Sequence, residues 1–300
     1  MSFSSDVKNE LARIVDKGKE VTELSAYVRI QGIENYLENG TIELKTENPA
    51  VARRIYTFVK GFYEDKTSVE ARKNTLKKNN TYTITIRGKK ESKDFLKKVG
   101  VLEDGSYNFY PPKLKANEKR AYVRAAFLAG GSITNPEKGY HFEIYSKTEE
   151  NAEGIKDILS KYEINPKIIS RKNTFVVYVK EGEKISDCLN IMGAVQALLK
   201  YENVRAMKDF RNGINRKVNL ETANLTKTVE SSLRQVKAIE RIEEFMGIDS
   251  LPVGLREVCY LRLENKELSL AELGKLMTPP QTKAVVNQRL RRIEKISEGI

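Results

Sequence analysis

Apolar positions along this chain keep two periods, and the changes between them divide it. Near the start, Val7, Leu11, Ile14 and Val15 form one stripe at helical spacing, with Ser4 or Ser5 available as the cap. Strict alternation appears in "TYTITIR" and again in "TFVVYVK", the pattern of antiparallel strands with one buried face. From Thr228 onward the spacing is helical throughout. Val229, Leu233, Val236, Ile239 and Ile242 make one stripe that ends near Gly247, and Leu255, Val258, Leu261 and Leu263 make another.

The middle of the chain repeats itself. "AYVRIQGIENYLENGTIELKTENPA" from Ala26 parallels "AFLAGGSITNPEKGYHFEIYSKTEE" from Ala126, at an offset of 100. Farther on, "TITIRGKKESKDFLKKVGVL" parallels "VVYVKEGEKISDCLNIMGAV" at an offset of 93, which calls for a longer hairpin loop around "KNTLKKNN" in the first copy. Each copy reads as an apolar helix, a strand (41–46; 140–146) and an amphipathic helix (50–63; 149–162), then two strands and a closing helix. Ile55, Phe58, Val59 and Phe62 face inward in the first amphipathic helix, and Ile155, Ile158 and Leu159 in the second. The predicted organisation is an N-terminal helix (1–22), a first lobe (23–105), a linker marked by Gly and Pro-Pro (106–118) and a second lobe (119–199). A basic connector (200–227) and an all-α domain (228–300) complete it. Between Lys200 and Lys227 lie seven basic residues, interleaved with Asn and almost without apolar period. This stretch reads either as a solvated connector or as a phosphate-contacting or domain-docking segment through Arg205, Lys208, Arg211, Arg216 and Lys217.

Composition narrows the chemistry. Fifty-three basic residues against 41 acidic ones give a net charge of +12, which favours a polyanionic partner, nucleic acid before membrane. An apolar fraction of 40% is enough for packed cores. One histidine, His141, sits in a strand pattern, and the two cysteines, Cys188 and Cys259, sit in apolar helical patterns as buried thiols. Neither a His-based triad nor a zinc site can be assembled from them. No apolar run approaches a membrane span and "MSFSSDVKNELARI" is no signal peptide, so a cytoplasmic location is expected, with no membrane partner and no cofactor.

The last 32 residues carry the sharpest signal. Ser269 stands three residues before Glu272, a capping box that starts a short helix with Leu270, Leu273, Leu276 and Met277 on its buried face. "TPP" breaks that helix, because proline cannot donate a helix hydrogen bond. In "QTKAVVNQRLRRIEKI", Val286, Leu290, Ile293 and Ile296 then fall on one side. Ala284, Asn287, Gln288, Arg291 and Lys295 fall on the other, with Lys283 and Arg292 on the flanks and Gln281 just ahead. A capped helix, a tight turn and a basic helix describe a helix-turn-helix. Asn and Gln can bind adenine edges, and Arg or Lys guanine edges. Arg291, Arg292 and Lys295 are placed to neutralise phosphates.

"RAAFLAGGSIT" (124–134), in the second copy, resembles the motif of LAGLIDADG homing endonucleases. In that family the motif helices of two lobes pack along a pseudo-twofold axis, and each ends in an acid that binds Mg²⁺. Here the acidic position falls on Gly130 with Ile30 as its repeat equivalent, or on Ile133 or Asn135 in other alignments; the first copy has only Glu34 nearby. Such a domain without its acids, ahead of a helix-turn-helix, resembles the WhiA family of bacterial transcription regulators. The likeness includes "ENVRAMKDFRNGINRKVNLETANLTKTVE" and "LPVGLREVCYLRLENKELSLAELG". It implies an α+β, two-lobed, pseudo-twofold domain of two αββαββα-type halves, followed by an all-α helix-turn-helix domain. It also implies a nucleoid-located, non-catalytic, sequence-specific DNA-binding regulator of sporulation or cell division in a Gram-positive bacterium. The expected partners are double-stranded DNA and RNA polymerase or another regulator. The competing readings are an active LAGLIDADG-type endonuclease, distinguished by cleavage of long duplex DNA, and a protein-interaction scaffold, distinguished by absence of DNA binding.

Overall fold

The computed structural model describes residues 2–73 and 80–300. Most of the expected loop around "KNTLKKNN" lies outside the described residues. The chain divides into two units, one ending at Lys208 and the other spanning Asp209–Ile300.

In the first unit, α1 (Phe3–Leu11) is capped by Ser2, whose side chain accepts from the Ser5 amide, rather than by Ser4 or Ser5. The helix ends before Ile14, and Val15 is 83% exposed, so the expected stripe stops at Leu11. The first copy continues as α2 (Glu20–Gln31), α3 (Glu34–Asn39), β1 (Ile42–Thr46), α4 (Pro49–Lys60), β2 (Thr67–Lys73), β3 (Asn80–Ile86) and α5 (Lys89–Lys98). A small hairpin, β4 (Leu102–Glu103) with β5 (Ser106–Tyr107), lies where the linker begins. The second copy is α6 (Ala116–Gly130), β6 (Gly131–Ile133), β7 (Phe142–Ser146), α7 (Glu149–Ser160), β8 (Lys167–Arg171), β9 (Thr174–Val179) and α8 (Gly182–Met192).

Strand register reproduces both sequence offsets. In the first copy Leu44 pairs with Ile84 and Ile42 with Ile86; in the second Ile144 pairs with Val177 and Phe142 with Val179. One strand is shifted by 100 and its partner by 93, so the extra residues of the first copy lie between β1 and β3. Both sheets are antiparallel, ordered β1-β3-β2 and β6-β7-β9-β8. The second lobe has the full αββαββα order. In the first, Gly32 ends α2 at φ +82° and the short α3 stands where the second lobe has β6. Phe62, expected inward, lies beyond the end of α4 and is 36% exposed, with the Lys98 ammonium over its ring at 4.4 Å.

The two lobes meet along α2 and α6. Leu24, Val28 and Ile30 of α2 and Val123, Ala126 and Phe127 of α6 are all buried, and Gly130 near the end of α6 stands directly against Ile30 of α2. Burial of each large aliphatic side chain contributes about 1.5–3 kcal/mol. A polar cluster crosses the same seam. Glu23 on α2 is fully buried and accepts two bonds of 2.7 Å from Arg54 of α4 and one of 3.1 Å from Arg124 of α6. Arg124 also pairs with Asp16 at 2.8 Å.

The second unit contains most of α9 (Val195–Phe245), then α10 (Val253–Glu264), α11 (Leu270–Leu276) and α12 (Lys283–Glu298). The basic stretch expected to lack a period is therefore helical, and every residue from 209 to 227 is exposed. Ile239 and Ile242 pack with Leu255, Val258, Leu273, Val286, Leu290 and Ile293 to form the core. Val229 and Leu233, expected in the same stripe, are 47% and 56% exposed, because the face of α9 that packs runs through Ser232, Gln235, Val236, Ile239 and Ile242 instead. Leu276, expected buried, is 50% exposed at the end of α11, whereas Met277 is buried. Cys188 and Cys259 are both free and buried, and burial pushes their thiols up, that of Cys259 to about 12. No described helix is both long and apolar enough to cross a membrane.

Candidate nucleic-acid interface

Local chemistry places α11 and α12. The Ser269 side chain accepts from the Glu272 amide, while the Glu272 carboxylate accepts from the Ser269 amide at 2.9 Å, completing the capping box. These bonds to Ser269 hold the Glu272 carboxyl below its usual range. After the Thr-Pro-Pro break, the Gln281 amide donates to the Gly274 carbonyl at 2.8 Å and closes the turn. A Cβ on Gly274 would stand 2.3 Å from the Gln281 carbonyl oxygen, so the turn requires glycine. Thr282 then caps α12 by accepting from the Val285 amide.

The expected two faces of α12 are realised. Val286, Leu290 and Ile293 are buried. Lys283, Ala284, Gln288, Arg291, Arg292 and Lys295 are exposed, and Asn287 is half-buried between the faces. Gln281 differs from the rest: it precedes the helix, and its side-chain amide donates to the Pro279 carbonyl at 3.0 Å. The helix thus presents a polar N-terminal half and a cationic C-terminal half to solvent. Amide side chains are able to hydrogen-bond base edges, and guanidinium or ammonium groups are able to meet phosphate.

Two arginines that shape the site are invisible to the periodicity. Arg289 on α12 donates to the Gly254 carbonyl at 3.1 Å, tying α12 to α10. Arg262, 1% exposed, donates to the Leu268 carbonyl at 2.8 Å and holds the approach to α11. Burial pushes its guanidinium below the ordinary arginine value. The basic residues of α9 divide as well. Arg205 pairs with Glu202 at 3.3 Å and Lys208 lies over the Tyr140 ring at 5.1 Å, whereas Arg211, Arg216 and Lys217 are exposed.

Where the lobe helices end, no acid faces an acid. Gly130 sits against Ile30, so closely that a Cβ on it would be 2.7 Å from the Ile30 Cγ2 and 2.9 Å from the Tyr145 ring. The two repeat-equivalent positions therefore form one apolar contact. Glu34, the neighbouring carboxylate, is paired with Lys147 from the other lobe at 2.7 Å. Partial burial raises the Glu34 carboxyl, but the hydrogen bond and charge of Lys147 outweigh it and hold the group below its usual range. Hard divalent cations take anionic oxygen ligands, and this position offers none from Gly130 or Ile30. Elsewhere His141 is engaged with Glu143 at 3.1 Å beside β7.

Three family models cover the chain in order. They are the WhiA N-terminal LAGLIDADG-like domain at residues 17–102, the WhiA LAGLIDADG-like domain at 119–211 and the WhiA C-terminal HTH domain at 214–297. A relative from Clostridium acetobutylicum, "Probable cell division protein WhiA", is 47% identical over 100% of this chain and 98% of its own length. This chain belongs to the WhiA family. The same name is carried by a Clostridium botulinum protein, 44% identical over 100% of this chain and 99% of that one. Among solved structures, full-length WhiA of Thermatoga maritima matches with a TM-score of 0.61 at 31% identity, covering 100% of this chain and 99% of that one. A WhiA N-terminal LAGLIDADG domain matches with a TM-score of 0.52 at 26% identity, over 64% of this chain and 90% of that one.

Membership of WhiA makes the apolar Gly130–Ile30 contact a feature to test directly. Gly130→Asp is expected to cost about 1–3 kcal/mol through overpacking against Ile30 and Tyr145. It is also expected to give no cleavage of duplex DNA with Mg²⁺. Urea unfolding and a plasmid-nicking assay check this; an undiminished stability together with cutting would show that the position can still serve a metal.

Proposed function

We propose that this WhiA-family chain is a sequence-specific, non-catalytic DNA-binding regulator, with α12 entering the major groove of double-stranded DNA. The observation that carries this reading is the division of α12. Its apolar side is spent in the core, leaving Lys283, Gln288, Arg291, Arg292 and Lys295 in solvent with no core role. Asn287, Gln288 and Lys283 belong to the base-reading part; Arg291, Arg292 and Lys295 belong to the phosphate-binding part. Gln281 acts by shaping the turn. The exposed Arg216 and Lys217 are available as additional cations. The apolar Gly130–Ile30 contact supports a structural role for the two-lobed unit, on whose surface RNA polymerase or another regulator docks. Names of the clostridial relatives support a process linked to cell division, with sporulation control in the same class, in a protein of the cytoplasm and nucleoid.

Arg291→Ala/Lys295→Ala is the test of this reading. Binding to every duplex should weaken, and the slope of log affinity against log salt should fall by about 2, one unit per lost phosphate contact. Fluorescence anisotropy across a salt series measures it. An unchanged slope would remove α12 from the phosphate contacts.

A further inference from the structure

Along α9 from Met207 to Leu225, the exposed apolar residues other than Leu220 fall on one helix face. Met207, Arg211, Ile214, Val218, Glu221 and Leu225 alternate spacings of four and three, the a/d pattern of a helix seam. Met207, Ile214, Val218 and Leu225 are 53%, 48%, 51% and 65% exposed, with Phe210 beside them at 65%. Single exposed apolar residues are ordinary; five on one helix face form a contiguous patch of the kind that marks an association surface.

The order of residues says what covers it. Read forward the seam is Met-Arg-Ile-Val-Glu-Leu, and read backward it is Leu-Glu-Val-Ile-Arg-Met. Laid antiparallel on itself, it sets Met207 against Leu225, Ile214 against Val218 and Arg211 against Glu221, each twice. Apolar meets apolar, and the seam's two charges meet their opposites. A parallel arrangement would instead set Arg211 against Arg211 and Glu221 against Glu221. Within one helix the two lie ten residues apart, roughly 15 Å along the axis, so they do not neutralise each other inside a single chain. We infer that this face of α9 is the interface of a homodimer in which two copies pair antiparallel about a twofold axis near Arg216. Such a contact is isologous, the commonest closed arrangement.

Sedimentation equilibrium on the full chain tests it, with circular dichroism to verify that each exposed-site variant stays folded. The wild type should show a concentration-dependent monomer–dimer equilibrium. Arg211→Glu and Glu221→Arg should each weaken the dimer by about tenfold, since each creates two like-charge pairs. The double exchange Arg211→Glu/Glu221→Arg should recover the wild-type constant to within about threefold. A wild type that stays monomeric up to about 100 μM would overturn the inference. A double exchange no tighter than either single variant would do so as well. So would Arg211→Glu altering only DNA affinity, which would make this face a nucleic-acid contact.

Discussion

Glu23→Ala should destabilise the two-lobed unit by about 3–5 kcal/mol, the cost of breaking a buried ion pair from one side. The carboxylate is fully buried, and Arg54 and Arg124, 8% and 4% exposed, both point their guanidinium groups at it. Its removal takes the paired carboxylate from Arg54, which keeps the Ala12 and Ile14 carbonyls at 3.2 and 2.5 Å, and leaves Arg124 with Asp16 at 2.8 Å and the Met192 carbonyl at 3.4 Å. Arg54 comes from the first lobe and Arg124 from the second, so the loss falls on the seam that joins them. Replacing the whole cluster at once, as Glu23→Leu/Arg54→Met/Arg124→Met, should cost markedly less, because no unpaired charge then remains buried. Chemical denaturation of the three proteins gives the comparison. Equal losses for the single and triple variants would mean that packing, and not charge pairing, holds the seam.

Gly274→Ala is expected to have the second-largest effect, and on a different unit. The added methyl would stand 2.3 Å from the backbone carbonyl oxygen of Gln281 and 3.2 Å from the Val286 side chain. Backbone cannot swing aside as a flexible side chain can, so the turn between α11 and α12 must open. The Gln281-to-Gly274 hydrogen bond and the packing of Val286 would be lost together, at a cost of about 2–4 kcal/mol. DNA affinity should fall at least tenfold although no exposed residue of α12 has changed. Near-wild-type affinity in this variant would show that recognition does not depend on the turn geometry.

The repeat was legible because a strand register is a long-range copy of a short-range pattern. Offsets of 100 and 93 in sequence became the pairs Leu44–Ile84 and Ile144–Val177. Helix α12 was legible for a similar reason: its polar and apolar positions separate cleanly at helical spacing. What periodicity cannot say is whether an apolar stripe is covered. Val229 and Leu233 continue the stripe of Ile239 yet stand in solvent. The helical character of 200–227 is hidden in the sequence because Arg211 and Glu221 interrupt its apolar seam. Contacts between distant residues left no local trace. Glu23 reaches Arg54 and Arg124, 31 and 101 residues away, and Arg289 reads as one more base on a basic helix until its bond to Gly254 is seen. Gly274 is visible only once the turn has closed on it.

The most direct measurement is selection of bound duplexes from a randomised pool by the full-length wild type and by Asn287→Ala. The wild type should enrich a definite motif. The Asn287→Ala protein should enrich the same motif with preference relaxed at one or two adjacent positions, each base contact being worth about 1–3 kcal/mol of discrimination. If the wild type enriches no motif, or if Asn287→Ala lowers affinity uniformly with its motif unchanged, then α12 does not read sequence.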